Sequence, residues 1–229
     1  MKSLYLGLIC LLLFSTCKSD KSESRLKEIH KEPTVARKIA NAHGFENWKN
    51  VFEVKFTFQV DRDTIKGKRR SWTWNPKTKN VSMVTETQTV SYTLNAIDST
   101  SIDTDRAFIN DKFWLLIPFQ LVWNTSTTIS EPTKAEAPIS KNQLNLITLT
   151  YPNKGGYPPG DAYDIFYSDD FIIKEWVFRK GNSEEPTMAT TFENYKDYKG
   201  IKIATDHKMD GGNWNLNFTE VSITLVGQK

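Results

Sequence analysis

The chain has 229 residues and a formal net charge of +3, which suits one sizeable domain and is short for two. A balance this near neutral excludes the basic footprint of a nucleic-acid binder. The only cysteines are Cys10 and Cys17, so everything beyond residue 17 is held without an internal disulfide and depends on its core. That core is rich in aromatics, with 7 Trp, 13 Phe and 8 Tyr, side chains that suit strands.

The N-terminus reads as a secretory signal. Lys2 supplies the charged region, Leu4 to Phe14 an apolar run of 11 residues, and Ser15-Thr16 the small residues before a cut. A bilayer span needs about 17 or more apolar residues, so the run is too short for a transmembrane helix. Cys17 directly after two small hydroxyl residues resembles the lipobox of bacterial lipoproteins. That resemblance implies cleavage before Cys17, a diacylglycerol on its sulfur and a membrane anchor. The other reading is an ordinary signal peptide with an incidental cysteine. The expected domains are a signal peptide over 1–16, a lipidated Cys17 with a flexible tether over 17–33, and a single domain over 34–229. The polar stretch from Lys18 to Lys31 has too few apolar residues to pack. The 18 steps from Cys17 to Val35 give a flexible chain an r.m.s. span of roughly 20–25 Å.

A short helix is predicted from Thr34 to His43, with Val35, Ile39 and Ala42 near one face and Gly44 ending it. His43 falls where the helix dipole favours a cation. Period-two alternation then marks strands. In Val51 to Asp61, Phe52, Val54, Phe56, Phe58 and Val60 share one face. A polar turn leads to Arg69–Trp74, which places Trp72 and Trp74 together, and the two strands are expected to pair with all four of Phe56, Phe58, Trp72 and Trp74 on the concave side. Val81–Val84 and Gln88–Leu94 follow, the latter carrying Tyr92. Asp105 to Leu116 reads as a helix. The apolar run Phe113 to Phe119 is expected to cover the mouth of the sheet as a fixed plug or a lid, with Pro118 breaking the helix. Lys134–Lys141 reads as a surface loop.

Further strands are predicted over Gln143–Tyr151, Asp161–Tyr167, Phe171–Arg179, Met188–Tyr195 and Ile201–Met209. In Trp214–Leu225 the apolar residues change phase, from Trp214, Leu216 and Phe218 to Val221, Ile223 and Leu225, which predicts a β-bulge near Thr219-Glu220. No parallel βαβ rhythm is present.

Three stretches resemble the LolA/LolB-like superfamily of periplasmic lipoprotein carriers, and within it an uncharacterised group of bacterial lipoproteins. They are Ala40–Gly44 running through Trp48 into the first strand, Phe113–Phe119, and Thr191–Tyr195 followed by Tyr198-Lys199-Gly200-Ile201-Lys202-Ile203. The resemblance implies a mainly β fold: a strongly curved antiparallel half-barrel wrapping one or two short helices and enclosing an apolar cavity.

The search for catalytic motifs returns no His-Glu-x-x-His, no Gly-x-Ser-x-Gly and no phosphate loop. His30, His43 and His207 are isolated in sequence; His207 with Asp210 does not make a metal site, and His207 reads as an ordinary surface histidine. Asp161, Asp164, Asp169 and Asp170 read as solvated hairpin carboxylates rather than a calcium loop. The aromatic residues allow two readings. Either they pack a core, or some line an apolar pocket, the candidates being Phe56, Phe58, Trp72, Trp74, Tyr92, Trp114, Trp176 and Trp214. The expected function is non-enzymatic binding of a lipid or lipoprotein acyl chain by a monomeric envelope lipoprotein, with no nucleic-acid partner and no cofactor or metal. It would be lipid-anchored at the outer membrane, on the periplasmic face or the cell surface. The alternatives are an envelope interaction module with a filled aromatic core, and a hydrolase assembled from distant strands.

Overall fold

A computed structural model describes residues 32–154 and 159–227. The signal sequence, Cys17 and all of the tether up to residue 31, His30 included, lie outside the described residues. The fold is mainly β and antiparallel, as expected, but its strands form two sheets.

The first sheet is built around β1 (Val51–Arg62), whose neighbours are β2 (Arg70–Asn75) and the last strand, β13 (Trp214–Leu225). Beyond β2 lie β3 (Asn80–Val84) and β4 (Thr89–Thr93); beyond β13 lie β12 (Ile201–Lys208) and β11 (Glu193–Tyr198). Trp72 pairs with Phe56 and Trp74 with Val54, so Phe56, Phe58, Trp72 and Trp74 share one buried face, as alternation predicts. The bulge in β13 is also where the phase change puts it. Lys55 pairs with Ser222 and Thr57 with Thr219, leaving one extra residue on β13, and Glu220 there adopts φ 52°. A second bulge near the start of β1 corrects the expectation for Phe52. Val51 pairs with Leu225 and Glu53 with Thr224, so Phe52 is the extra residue and turns outward, 37% exposed, while Val51 is buried in its place.

The second sheet orders β10 (Met188–Thr191), β9 (Ile173–Arg179), β8 (Ala162–Tyr167), β7 (Gln143–Thr150) and β5 (Thr128–Ile129), with β6 (Thr133–Glu136) also on β7. Two expectations are corrected here. The segment Lys134–Lys141 is not simply a surface loop: its start is β6, and Ala137 is buried against Phe166 and Val177 on the sheet's outer face. The single strand expected over Met188–Tyr195 is two strands, β10 in the second sheet and β11 in the first, and the chain changes sheets at Phe192.

Three helices supply side chains to the cores of both sheets. α1 (Val35–Ala42) starts where Thr34 Oγ1 accepts the Arg37 N–H. Gly44, at φ 88°, ends it in the left-handed conformation, and a Cβ there would lie 1.8 Å from the carbonyl oxygen of Gly200. The turn at Gly200 is thereby packed against the end of α1. α2 (Ile102–Leu115) is followed at once by α3 (Ile117–Trp123). The stretch after Leu116 is therefore helical rather than an irregular loop. Pro118 sits in the first turn of α3, where its missing N–H costs nothing. Leu115, Leu116 and Phe119 pack into the core of the first sheet with Phe56, Trp72 and Phe108. Ile117 and Leu121 pack into the core of the second sheet with Ile39, Ile147, Ile165 and Trp176. Among the described residues no helix is long and apolar enough to cross a membrane.

Candidate functional site

A cleft of about 430 Å³ opens where the two sheets diverge around α2. Phe58 and Val60 of β1 and Trp214 and Leu216 of β13 form one wall. Tyr163, Trp176, Phe178 and Met188 of the second sheet form the other, and Ile109, Phe113 and Trp114 of α2 lie between them. This is the size and composition of a small-molecule site, apolar with few polar groups. The polar groups are Arg106, Asn110 and Asp161. Arg106 is exposed and pairs with Asp103 at 2.9 Å; Asp161 is buried and accepts the Gly181 N–H at 2.7 Å.

Local register explains the walls. Leu216 faces Val60 and Trp214 faces Arg62 across the β1–β13 pair. Tyr163 pairs with Phe178, and Met188 with Phe178, across three adjacent strands. Tyr163 and Phe178 are stacked with ring centroids 5.2 Å apart, and Phe113 lies 4.9 Å from Tyr163. Trp114 meets Trp176 edge-on at 4.3 Å. These rings support one another, so the cleft is propped open by aromatic walls.

Four of the eight residues predicted to bind a ligand line this cleft: Phe58, Trp114, Trp176 and Trp214. The other four are elsewhere. Phe56, Trp72 and Trp74 are in the closed core of the first sheet, with both tryptophans against Phe108 at 5.3 and 5.5 Å. Tyr92, on β4, donates its hydroxyl to Asp105 Oδ1 at 3.0 Å, and burial pushes its phenol up strongly. Of the residues not predicted, Phe113 lies in the apolar run already singled out, and Leu216 alternates with Trp214. Tyr163 and Phe178 share the hairpin with Trp176. Met188 carries no sequence signal.

A larger groove of about 750 Å³ lies between α1, α3 and β5. Its lining mixes Arg37, Lys38, Glu131 and several threonines with apolar residues and includes none of the eight predicted residues, so the cleft is the stronger candidate.

The histidines are corrected. His43 and His207 are both fully buried, so His207 is not the surface residue expected. His43 Nδ1 lies 2.8 Å from the Ile39 carbonyl and Nε2 lies 3.3 Å from the Tyr195 hydroxyl. His207 Nδ1 lies 3.2 Å from the Thr191 carbonyl. Burial lowers each imidazole to about 4, so both are neutral and the helix dipole gains no cation at His43. Neither hydrogen-bonds a serine or a carboxylate. The four hairpin aspartates are also dispersed. Asp161 is buried, Asp164 is paired with Arg179 at 2.8 Å, Asp169 with Lys134 at 2.9 Å, and Asp170 accepts from Ser168. Among the described residues no group of three or more metal-ligating side chains is assembled.

No protein-family model matches the chain, and no curated protein does. Solved structures similar to it include two of bacterial origin. One is a DUF1329 family protein from Desulfovibrio piger, with 9% identity and a TM-score of 0.47, covering 85% of this chain and 95% of that one. The other is a LolA superfamily protein from Nitrosomonas europaea, with 9% identity and a TM-score of 0.48, covering 84% of this chain and 94% of that one.

Proposed function

We propose that this protein is a non-enzymatic lipoprotein of the cell envelope that binds an apolar ligand, a lipid or a lipoprotein acyl chain, in the cleft between β1, β13, α2 and the second sheet. The observation that carries this reading is the cleft itself: some 430 Å³ between aromatic walls contributed by both sheets and α2. Binding proceeds by burial. Each methylene moved from water into such a site contributes about 0.8 kcal/mol, so a chain of several carbons binds without charged contacts.

Native mass spectrometry of the protein purified without detergent tests the reading. Co-purifying lipid supports it. Failure to find or to load any lipid or alkane favours the other reading, an envelope interaction module with a filled core, for which the close packing of Phe56, Trp72 and Trp74 speaks.

The address belongs to the same proposal. Acyl chains on Cys17 anchor a monomer to the outer membrane, with Lys18, rather than an aspartate, after the lipidated residue. Cys17→Ser should release the protein into the soluble periplasmic fraction. A variant that still fractionates with membranes as the parent does defeats the anchor.

A further inference from the structure

Four carboxylates are buried among the described residues: Asp105, Asp111, Asp161 and Glu175. A buried charge is normally paired or fully hydrogen-bonded, and three of the four are answered within the fold. Asp111 takes two bonds from the Arg70 guanidinium and one from the Trp72 indole. Glu175 takes the Ile139 and Ser140 N–H groups, one on each oxygen. Asp105 takes the Tyr92 hydroxyl. Burial lowers the nearby Lys112 ammonium, and the Asp105 charge works against that shift.

Asp161 is the exception. It is 7% exposed, and its single hydrogen bond is at Oδ1, from the Gly181 N–H at 2.7 Å. Among the described residues no donor meets Oδ2 and no cation pairs with the group. The other aspartates of this hairpin differ: Asp164 holds Arg179 at 2.8 Å and Asp169 holds Lys134 at 2.9 Å.

This carboxylate lines the cleft. It stands two residues before Tyr163 at the start of β8, so alternation gives both side chains the same face, and both reach the cleft. The Tyr163 phenol registers the charge: burial first, and then Asp161, pushes it up. The same wall is aromatic. Tyr163 stacks on Phe178 at 5.2 Å, with Trp176 at 5.0 Å and Phe113 at 4.9 Å from it. Ring faces attract cations, and apolar walls strengthen the field of a carboxylate. Arg106, the cationic residue of the lining, is exposed and already held by Asp103 at 2.9 Å. An anion entering the cleft would meet Asp161 in a medium that screens it poorly.

We propose that Asp161 is the counter-ion for an ammonium group, so that the cleft takes a cationic amphiphile. The alkyl chain lies between the aromatic walls, and the nitrogen donates a hydrogen bond to Asp161 Oδ2. This rests on the apolar-ligand reading of the cleft and adds the charge of the head group.

Calorimetry on the full chain at neutral pH tests it with dodecylammonium, 1-dodecanol and dodecanoate, which share one chain and differ in charge. The parent is compared with Asp161→Asn, whose amide keeps an oxygen for the Gly181 N–H and removes the charge. The parent should bind dodecylammonium at least about tenfold more tightly than dodecanol, and dodecanoate more weakly than either. In Asp161→Asn the preference for ammonium should fall about tenfold, with dodecanol within about twofold of the parent. A preference that the variant leaves unchanged assigns the cation to another group and overturns the proposal. The parent's ranking decides even if the variant does not fold: dodecanol binding as tightly as dodecylammonium, or dodecanoate binding most tightly, sinks the counter-ion and leaves the apolar-ligand reading in place. Binding of none of the three defeats that reading, and the counter-ion with it.

Discussion

Arg70 holds Asp111 through two parallel hydrogen bonds, Nε to Oδ2 at 2.8 Å and Nη2 to Oδ1 at 2.7 Å. Asp111 has no exposed side-chain surface. It also accepts from Trp72 Nε1 at 2.8 Å and from Asn110 Nδ2 at 3.0 Å. One buried carboxylate thus ties α2 to β2. Phe113 and Trp114, which floor the cleft, lie two and three residues further along the same helix.

Asp111→Ala should therefore be strongly destabilising, by about 3–5 kcal/mol, because it strands the Arg70 guanidinium and a buried indole N–H. Asp111→Asn keeps an acceptor for Trp72 and should lose less. Urea denaturation measures both. A loss under about 1 kcal/mol for the alanine variant would mean that water replaces the carboxylate and the network is not an anchor.

A second buried carboxylate organises the other sheet. Glu175, 2% exposed on β9, accepts the backbone N–H of Ile139 at 2.8 Å and of Ser140 at 2.9 Å. These bonds hold the turn after β6 over Phe166 and Val177. Glu175→Ala should cost about 2–4 kcal/mol, since a hydrogen bond to a charged group contributes about 1.5–3 kcal/mol net and water replaces part of the loss at this turn. Amide exchange at Ile139 and Ser140 should quicken more than at Ile147 or Ile165. Uniform acceleration across the sheet would show instead that Glu175 supports the whole sheet rather than this turn.

Alternation was a strong guide wherever one face is buried. It correctly places Phe56, Phe58, Trp72 and Trp74 together, and the phase change in β13 marks a real bulge. The passage from β10 to β11 leaves no such trace, because a strand can change partners at Phe192 without any break in composition. β6, Thr-Lys-Ala-Glu, is mostly exposed, so it lacks the apolar alternation that would reveal it. The site was legible only in part. Phe56 and Phe58 lie on the same strand face and both belong to the buried core of the first sheet, yet only Phe58 also reaches the cleft wall. Where α2 lies on the sheet decides between them, and no local pattern records that.

This difference is itself testable. Phe56, 1% exposed and closed in by Phe218 at 5.9 Å, should cost about 3–5 kcal/mol when cut to alanine. Trp214 is half-buried on the cleft wall, and Trp214→Ala should cost distinctly less while weakening binding of an apolar probe. Equal losses of stability from the two variants would place Trp214 in the core and close that side of the cleft.

The two buried histidines predict how stability depends on pH. Both have their pKa lowered from 6.5 to about 4, with burial the largest cause. Between those values the unfolded chain takes up protons that the folded chain refuses, which favours unfolding. The contribution of the neutral rings is whole above about pH 6.5, declines as pH falls, and is gone below about 4. It amounts to about 3 kcal/mol for each histidine across the full window. Carboxylates held low by their partners, such as Asp61 with Lys66 and Asp170 with Ser168, act in a more acid range, below their ordinary value. The urea midpoint should therefore fall between pH 7 and pH 4.5, before the carboxylates contribute much. His207→Gln keeps a donor for the Thr191 carbonyl and removes one titration, so the fall should shrink by roughly half. The slope is the readout, and it stands even if the variant is less stable at every pH. A parent midpoint that is flat from pH 7 to 4.5 would show that the rings protonate in place, and that neither His43 nor His207 is sealed from water.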